Sequence, residues 1–204
     1  MTLITDFRTA FGNPIQMTKY SEITDTRLQT RVRTRYAAEI AALQELGFHC
    51  LTFKQEARGP FSALLYLPVL PLMIRAKEVL VFPFPLRLAT ANILFTHSDP
   101  PAIACCMGLG VKFYTNFSDG CLLISSTLES HVALQDPALQ NLVSKIIRTA
   151  PESTVNQAWL SHRNRLTELA GIGKTVGSTA SFADYVDISD REETDLRHAR
   201  SALP

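Results

Sequence analysis

No excess of charge of one sign marks this chain: 20 Lys and Arg stand against 19 Asp and Glu, a formal net charge of +1. A dedicated nucleic-acid binder carries a basic excess or stripe, so no nucleic-acid partner is expected. No C-x-x-C pair is present. The four cysteines, Cys50, Cys105, Cys106 and Cys121, are not grouped with histidine at zinc-ligand spacing. No metal site and no cofactor is therefore expected, and the thiols read as reduced and buried in a cytoplasmic protein. Paired carboxylates for acid–base chemistry are missing as well: between Gly59 and Phe117 the acids are Glu78 and Asp99. The opening "MTLITDFRTAFGNP" lacks the basic start and apolar core of a secretory signal.

What is there is the composition of a folded globular protein, 46% hydrophobic and 19% charged. Its 204 residues suit one domain with extensions. The expected division is an N-terminal arm over 1–23, a single α+β domain over 24–170, and a linker with a polar C-terminal tail over 171–204.

From Asp25, Leu28, Val32, Tyr36, Ile40, Leu43 and Leu46 recur at helical spacing and predict one amphipathic helix, ended by Gly47. Arg27, Arg31, Arg33 and Arg35 lie off that stripe. They read as a solvated face, or as a contact for anionic headgroups or an acidic protein surface. "FHCLTFK", "RLATANILFTH", "AIACCM", "VKFYTNF" and "CLLISS" read as strands bounded by Pro, Gly, Asp or Ser. Asp119-Gly120 predicts a two-residue hairpin, with Phe117 opposite Leu122 and Thr115 opposite Ile124. Residues 136–148 read as helix or as an irregular segment feeding a strand, "SKIIR". Thr149 and Glu152 have capping-box spacing before a second helical stripe of Val155, Trp159, His162, Leu166 and Leu169. Ser189 and Glu192 suggest another box opening a short polar tail helix. The acids of "DYVDISDREETD" read as solvated.

"GIGKT" resembles the end of a phosphate-binding loop. It fails that motif, because Glu168 stands where a glycine is needed and a helix rather than a strand precedes it. His162, on the apolar face beside Trp159, is the polar residue that could serve as base or ligand. Its ordinary alternative is a hydrogen-bonded histidine at the core edge. No spacing selects a Cys–His nucleophile pair.

The most unusual stretch is "GPFSALLYLPVLPLMIRAKEVLVFPFPL". Its uncharged part, Phe61–Ile74, is shorter than the roughly 17–25 residues a span requires. Pro68 and Pro71 interrupt it, and they also disfavour a central strand. The expectation is a loop or short helix that covers the sheet or dips into a bilayer surface. Arg58 and Arg75 flank it as anchors, and Phe61, Leu64, Leu65, Tyr66, Leu70 and Met73 supply the membrane or partner contact.

"LQELGF", "GVKFYTNFSDGCLLISS" and "WLSHRNRLTEL" together resemble an uncharacterised family of bacterial proteins. Its members share an ELGF-like helix end, an FxDGxxLxxS hairpin and a helix with His-Arg. The resemblance covers residues 40–170, and His162 and Arg163 fall on its His-Arg position. It implies no activity and no catalytic residues. The stretch at 61–74 is longer here than in many relatives.

The expected architecture is α+β: an antiparallel sheet of about five strands, two main packed helices and a polar C-terminal tail helix. The expected function is a non-catalytic binding or scaffolding module whose 61–74 segment contacts an anionic membrane surface or a protein partner. The alternative is an enzyme or small-ligand-binding protein with a pocket near His162.

Overall fold

A computed structural model describes residues 20–56, 91–108, 110–127, 145–177 and 181–201. The fold is α+β, built on a seven-stranded sheet whose spatial order follows the chain. The strands are β1 (Tyr20–Glu22), β2 (His49–Glu56), β3 (Ala91–Ser98), β4 (Pro101–Met107), β5 (Gly110–Asn116), β6 (Leu122–Ser126) and β7 (Ile146–Arg148). Neighbours pair antiparallel, except β6 and β7, which run parallel. The helices are α1 (Thr26–Arg35), α2 (Ala37–Glu45), α3 (Val155–Gly171) and α4 (Phe182–Ser201).

Both faces of the sheet are covered. Side chains alternate along a strand, so each strand feeds two cores. Ile93, Phe95, Ala104, Cys106, Val111 and Phe113 pack with Leu28, Val32, Tyr36, Leu43 and Trp159 from α1, α2 and α3. Leu94, Ile103, Cys105, Tyr114, Leu122 and Ile124 face the other way and pack with Tyr185 and Ile188 of α4. Burial on two faces is why β3 to β6 read as nearly unbroken apolar runs rather than as alternation.

Seven strands stand where about five are expected. The five strands read from the sequence are β2 to β6. The additions are three-residue strands at the two edges: β7 is the strand that "SKIIR" offers as the alternative for 136–148, whereas β1 is too short to show a period. The single helix predicted from Asp25 to Leu46 is two. Tyr36, with φ −108° and ψ 26°, breaks the helical path between α1 and α2. Asp25 caps α1, accepting from the backbone N–H of Arg27 and Leu28. Gly47, at φ 87°, ends α2, with Phe48 N donating to Leu43 O.

Two capping assignments move. Thr154, not Thr149, caps α3, accepting from Gln157 N at 3.3 Å. Ser181 and Asp184 form the reciprocal box that opens α4, so Ser189 and Glu192 lie inside the helix. That tail helix is not merely polar: Tyr185, Ile188, Ser189 and Glu192 are buried against the sheet.

The β5–β6 hairpin differs by one residue from the two-residue loop. Thr115 pairs with Leu123 and Phe113 with Ser125, and the loop is Ser118–Gly120, closed by Phe117 N donating to Cys121 O. A three-residue loop needs the left-handed conformation only at its last position, where Gly120 sits at φ 81°. A Cβ at Gly120 would meet no atom within 4 Å, so a substitution there reports backbone strain alone. Gly120→Val is expected to cost about 1–2 kcal/mol, measured by urea unfolding. An unchanged midpoint would remove this turn.

Arg58, Phe61, Leu64, Leu65, Tyr66, Leu70, Met73 and Arg75, the expected membrane or partner contact, lie outside the described residues. Among the described residues no helix is long and apolar enough to cross a membrane.

Candidate functional site

His162 projects from α3 into the first core and is fully buried. Its ring stacks on Trp159, with centroids 5.5 Å apart and planes 18° apart. Nε2 lies 3.0 Å from Thr115 Oγ1, and Nδ1 lies 2.9 Å from Ser125 Oγ. Thr115 Oγ1 also donates to the Pro101 carbonyl at 3.1 Å. A hydroxyl has one proton and a carbonyl can only accept. Thr115 therefore accepts from Nε2–H, which leaves Nδ1 to accept the Ser125 proton. The chain Ser125 → His162 → Thr115 → Pro101 fixes the neutral Nε2–H tautomer. Burial pushes the His162 pKa down to about 3. A base this weak, with no exposed atom, takes no proton from a substrate at neutral pH. What the arrangement does is tie α3 to β4, β5 and β6.

The other face holds charges that sequence reasoning missed. Lys54, on β2, is almost wholly buried, and Lys112, on β5, is 5% exposed. Lys54 Nζ donates to Tyr185 Oη and lies 4.2 and 4.1 Å from the ring centroids of Tyr20 and Tyr185. Tyr20 Oη bonds Ser189 Oγ at 2.8 Å. Glu192, on α4, accepts from Arg148 Nη2 at 2.9 Å and from Lys112 Nζ at 3.5 Å. Desolvation lowers the Lys112 pKa, and Glu192 opposes that shift. Phe182, Tyr185, Ile188 and Ser189 recur at helical spacing, which was the available signal that α4 has a buried side.

The cysteines divide by position. Cys105 and Cys106 are buried, Cys50 is exposed and Cys121 is half-buried. Burial pushes the thiols of Cys106 and Cys50 up. Among the described residues no group of three or more His, Cys, Asp or Glu is placed to hold a metal ion.

A groove of about 310 Å³ opens between α2 and the start of α3, lined by Glu39, Ala42, Gly110, Thr127, Thr154 and Asn156. Its hydroxyls already serve the fold: Thr127 Oγ1 accepts from Val111 N, and Thr154 caps α3. The outer surface of α1 exposes Arg27, Arg31, Arg33 and Arg35, and no acidic residue lies within that helix. The Arg33 guanidinium sits 4.8 Å over the Phe53 ring, and that of Arg35 sits 5.2 Å over Tyr36. Compared with family models, curated proteins and solved structures, the chain matches none.

Proposed function

We propose that the chain is a non-catalytic binding or scaffolding module that rests on an anionic membrane surface. The arginine face of α1 and the apolar 61–74 segment form its contact. The supporting observation is that Arg27, Arg31, Arg33 and Arg35 are all solvent-exposed on one helix, α1, within which no carboxylate lies. Each basic side chain near an anionic bilayer contributes about 1 kcal/mol. The apolar segment, flanked by Arg58 and Arg75, adds insertion to that attraction. Membership of the uncharacterised bacterial family that the hairpin and the His162–Arg163 helix resemble is part of the same proposal. A pocket around His162 is the weaker alternative, because that ring has no exposed atom.

The test is co-sedimentation with vesicles of phosphatidylcholine, with and without phosphatidylserine. Wild type is expected to bind the anionic vesicles at low salt and to leave them at high salt. Arg27→Gln/Arg31→Gln is expected to weaken binding roughly thirtyfold, at about 1 kcal/mol per side chain. Leu65→Asp/Leu70→Asp is expected to abolish it with the fold intact. A wild-type protein that ignores anionic vesicles at low salt overturns the membrane reading and makes the same surface a protein contact.

A further inference from the structure

We propose that α4 is an autoinhibitory strap: it leaves the sheet as a unit and bares a cationic face that takes an acidic amphipathic helix of a partner protein. The two faces of the sheet are closed differently. On the first, α1, α2 and α3 supply Leu28, Val32, Tyr36, Leu43, Ala158 and Trp159 to one apolar core. On the second, the 20-residue α4 offers Tyr185 and Ile188 as fully buried apolar anchors, with Phe182 half-buried beside them. The rest of its seat is polar. Lys54 Nζ donates to Tyr185 Oη, Tyr20 Oη bonds Ser189 Oγ at 2.8 Å, and Glu192 accepts from Arg148 at 2.9 Å and from Lys112 at 3.5 Å. Arg191 reaches Asn116 Oδ1 and the Gly120 carbonyl, both at 3.1 Å. Each of these bonds ends on an α4 side chain, so α4 can separate without breaking a strand ladder.

What α4 presents is an aromatic ring, an aliphatic side chain and a carboxylate at i, i+3 and i+7, namely Tyr185, Ile188 and Glu192, with Asp187 and Asp190 on its exposed side. What it covers is complementary: Lys54, Lys112 and Arg148, with the rings of Tyr20 and Tyr114. Burial of Lys112 outweighs its attraction to Glu192, since its pKa falls, so release of α4 returns a poorly compensated ammonium to water. The bared face has the charge and the apolar sockets to seat a helix of the same pattern, as helix-in-groove recognition requires. Because α1 packs on the opposite face, this binding stands or falls separately from the membrane contact.

The test uses a contrast built into β4. Cys105 lies beneath α4, with Sγ 4.0 Å from Tyr185 Oη, whereas Cys106 points into the first core, and both are fully buried. The native full chain is alkylated, and the rates are read by mass spectrometry and normalised to those of the urea-unfolded protein. Cys105 is expected to react roughly tenfold or more faster than Cys106, because α4 opens before the sheet does. Its rate is expected to rise weakly with added urea and that of Cys106 steeply, since release of one helix exposes less surface than global unfolding. Equal rates with equal urea dependence overturn the strap.

A fluorescent peptide of residues 181–201 then probes the bared face by anisotropy. The Glu192→Ala chain, whose strap is weakened, is expected to bind it about a hundredfold more tightly than wild type, whose own α4 competes at millimolar effective concentration. A peptide carrying Glu192→Gln is expected to bind that variant roughly tenfold more weakly. Protection of Cys106 certifies that the variant is folded. Where that protection is lost, Tyr185→Phe, which removes the hydroxyl bonded to Lys54, takes its place. A folded variant that binds the peptide no better than wild type overturns the docking face.

Discussion

Glu192→Ala is expected to lower the free energy of unfolding by about 3–5 kcal/mol, the usual cost of removing one member of a buried ion pair. The side chains of Lys112 and Glu192 are only 6% and 9% exposed. Without the carboxylate, Lys112 stays beneath α4 with its charge uncompensated and the Arg148 guanidinium close by. Arg148 is 17% exposed and can turn toward water. Lys112 must either remain charged in a low-dielectric site or give up its proton. The pair itself is not expected to be a large net stabiliser. Glu192→Leu with Lys112→Met is expected to recover most of the loss, since an apolar replacement removes both desolvation costs together. Urea unfolding measures both variants. A Glu192→Ala protein within about 1 kcal/mol of wild type contradicts the buried pair.

The second large effect is on acid stability. The unfolded chain binds a proton at His162 near its ordinary value of 6.5, whereas the folded chain holds the ring neutral down to about 3. Between those values the unfolded state binds more protons, so stability falls as the pH falls. Above 6.5 the contribution is constant. The expected loss from this one group is about 2 kcal/mol between pH 7 and pH 5, on a slope approaching about 1.4 kcal/mol per pH unit. His162→Gln cannot titrate there. It is expected to cost about 1–3 kcal/mol at pH 7, through imperfect bonds to Ser125 and Thr115, and to show a correspondingly flatter profile. Parallel wild-type and variant profiles contradict the neutral, buried imidazole.

The sequence carried the five central strands and the stripe of α3, because long apolar runs and helical spacing are strong signals. It did not carry the hairpin register. Asp119-Gly120 is the signature of a two-residue turn, and only the three-residue loop brings Ser125 to the face shared by Thr115 and His162. A slip of one residue sends every side chain of β6 to the opposite face. The hydrogen-bond chain through His162 was therefore not legible, although the histidine itself was. The lysines failed for another reason. Lys54 and Lys112 look like solvent-facing positions until α4 is seen to cover that face, and α4 is disguised by its acids. Its buried side has two fully buried apolar anchors, Tyr185 and Ile188, followed by Ser189 and Glu192, which a hydrophobic pattern does not register. The near-constant spacing from Leu28 to Leu46 likewise concealed the break at Tyr36, since both helices keep one face on the core.

The histidine that looks most like a catalytic group ties α3 to the sheet through Ser125 and Thr115. The most direct measurement is a ¹⁵N-detected NMR titration of the imidazoles. The account predicts that His162 shows the Nε2–H tautomer, with Nδ1 as acceptor, and does not titrate from pH 8 down to pH 5. A His162 ring that titrates near 6.5, or that carries its proton on Nδ1, would contradict it.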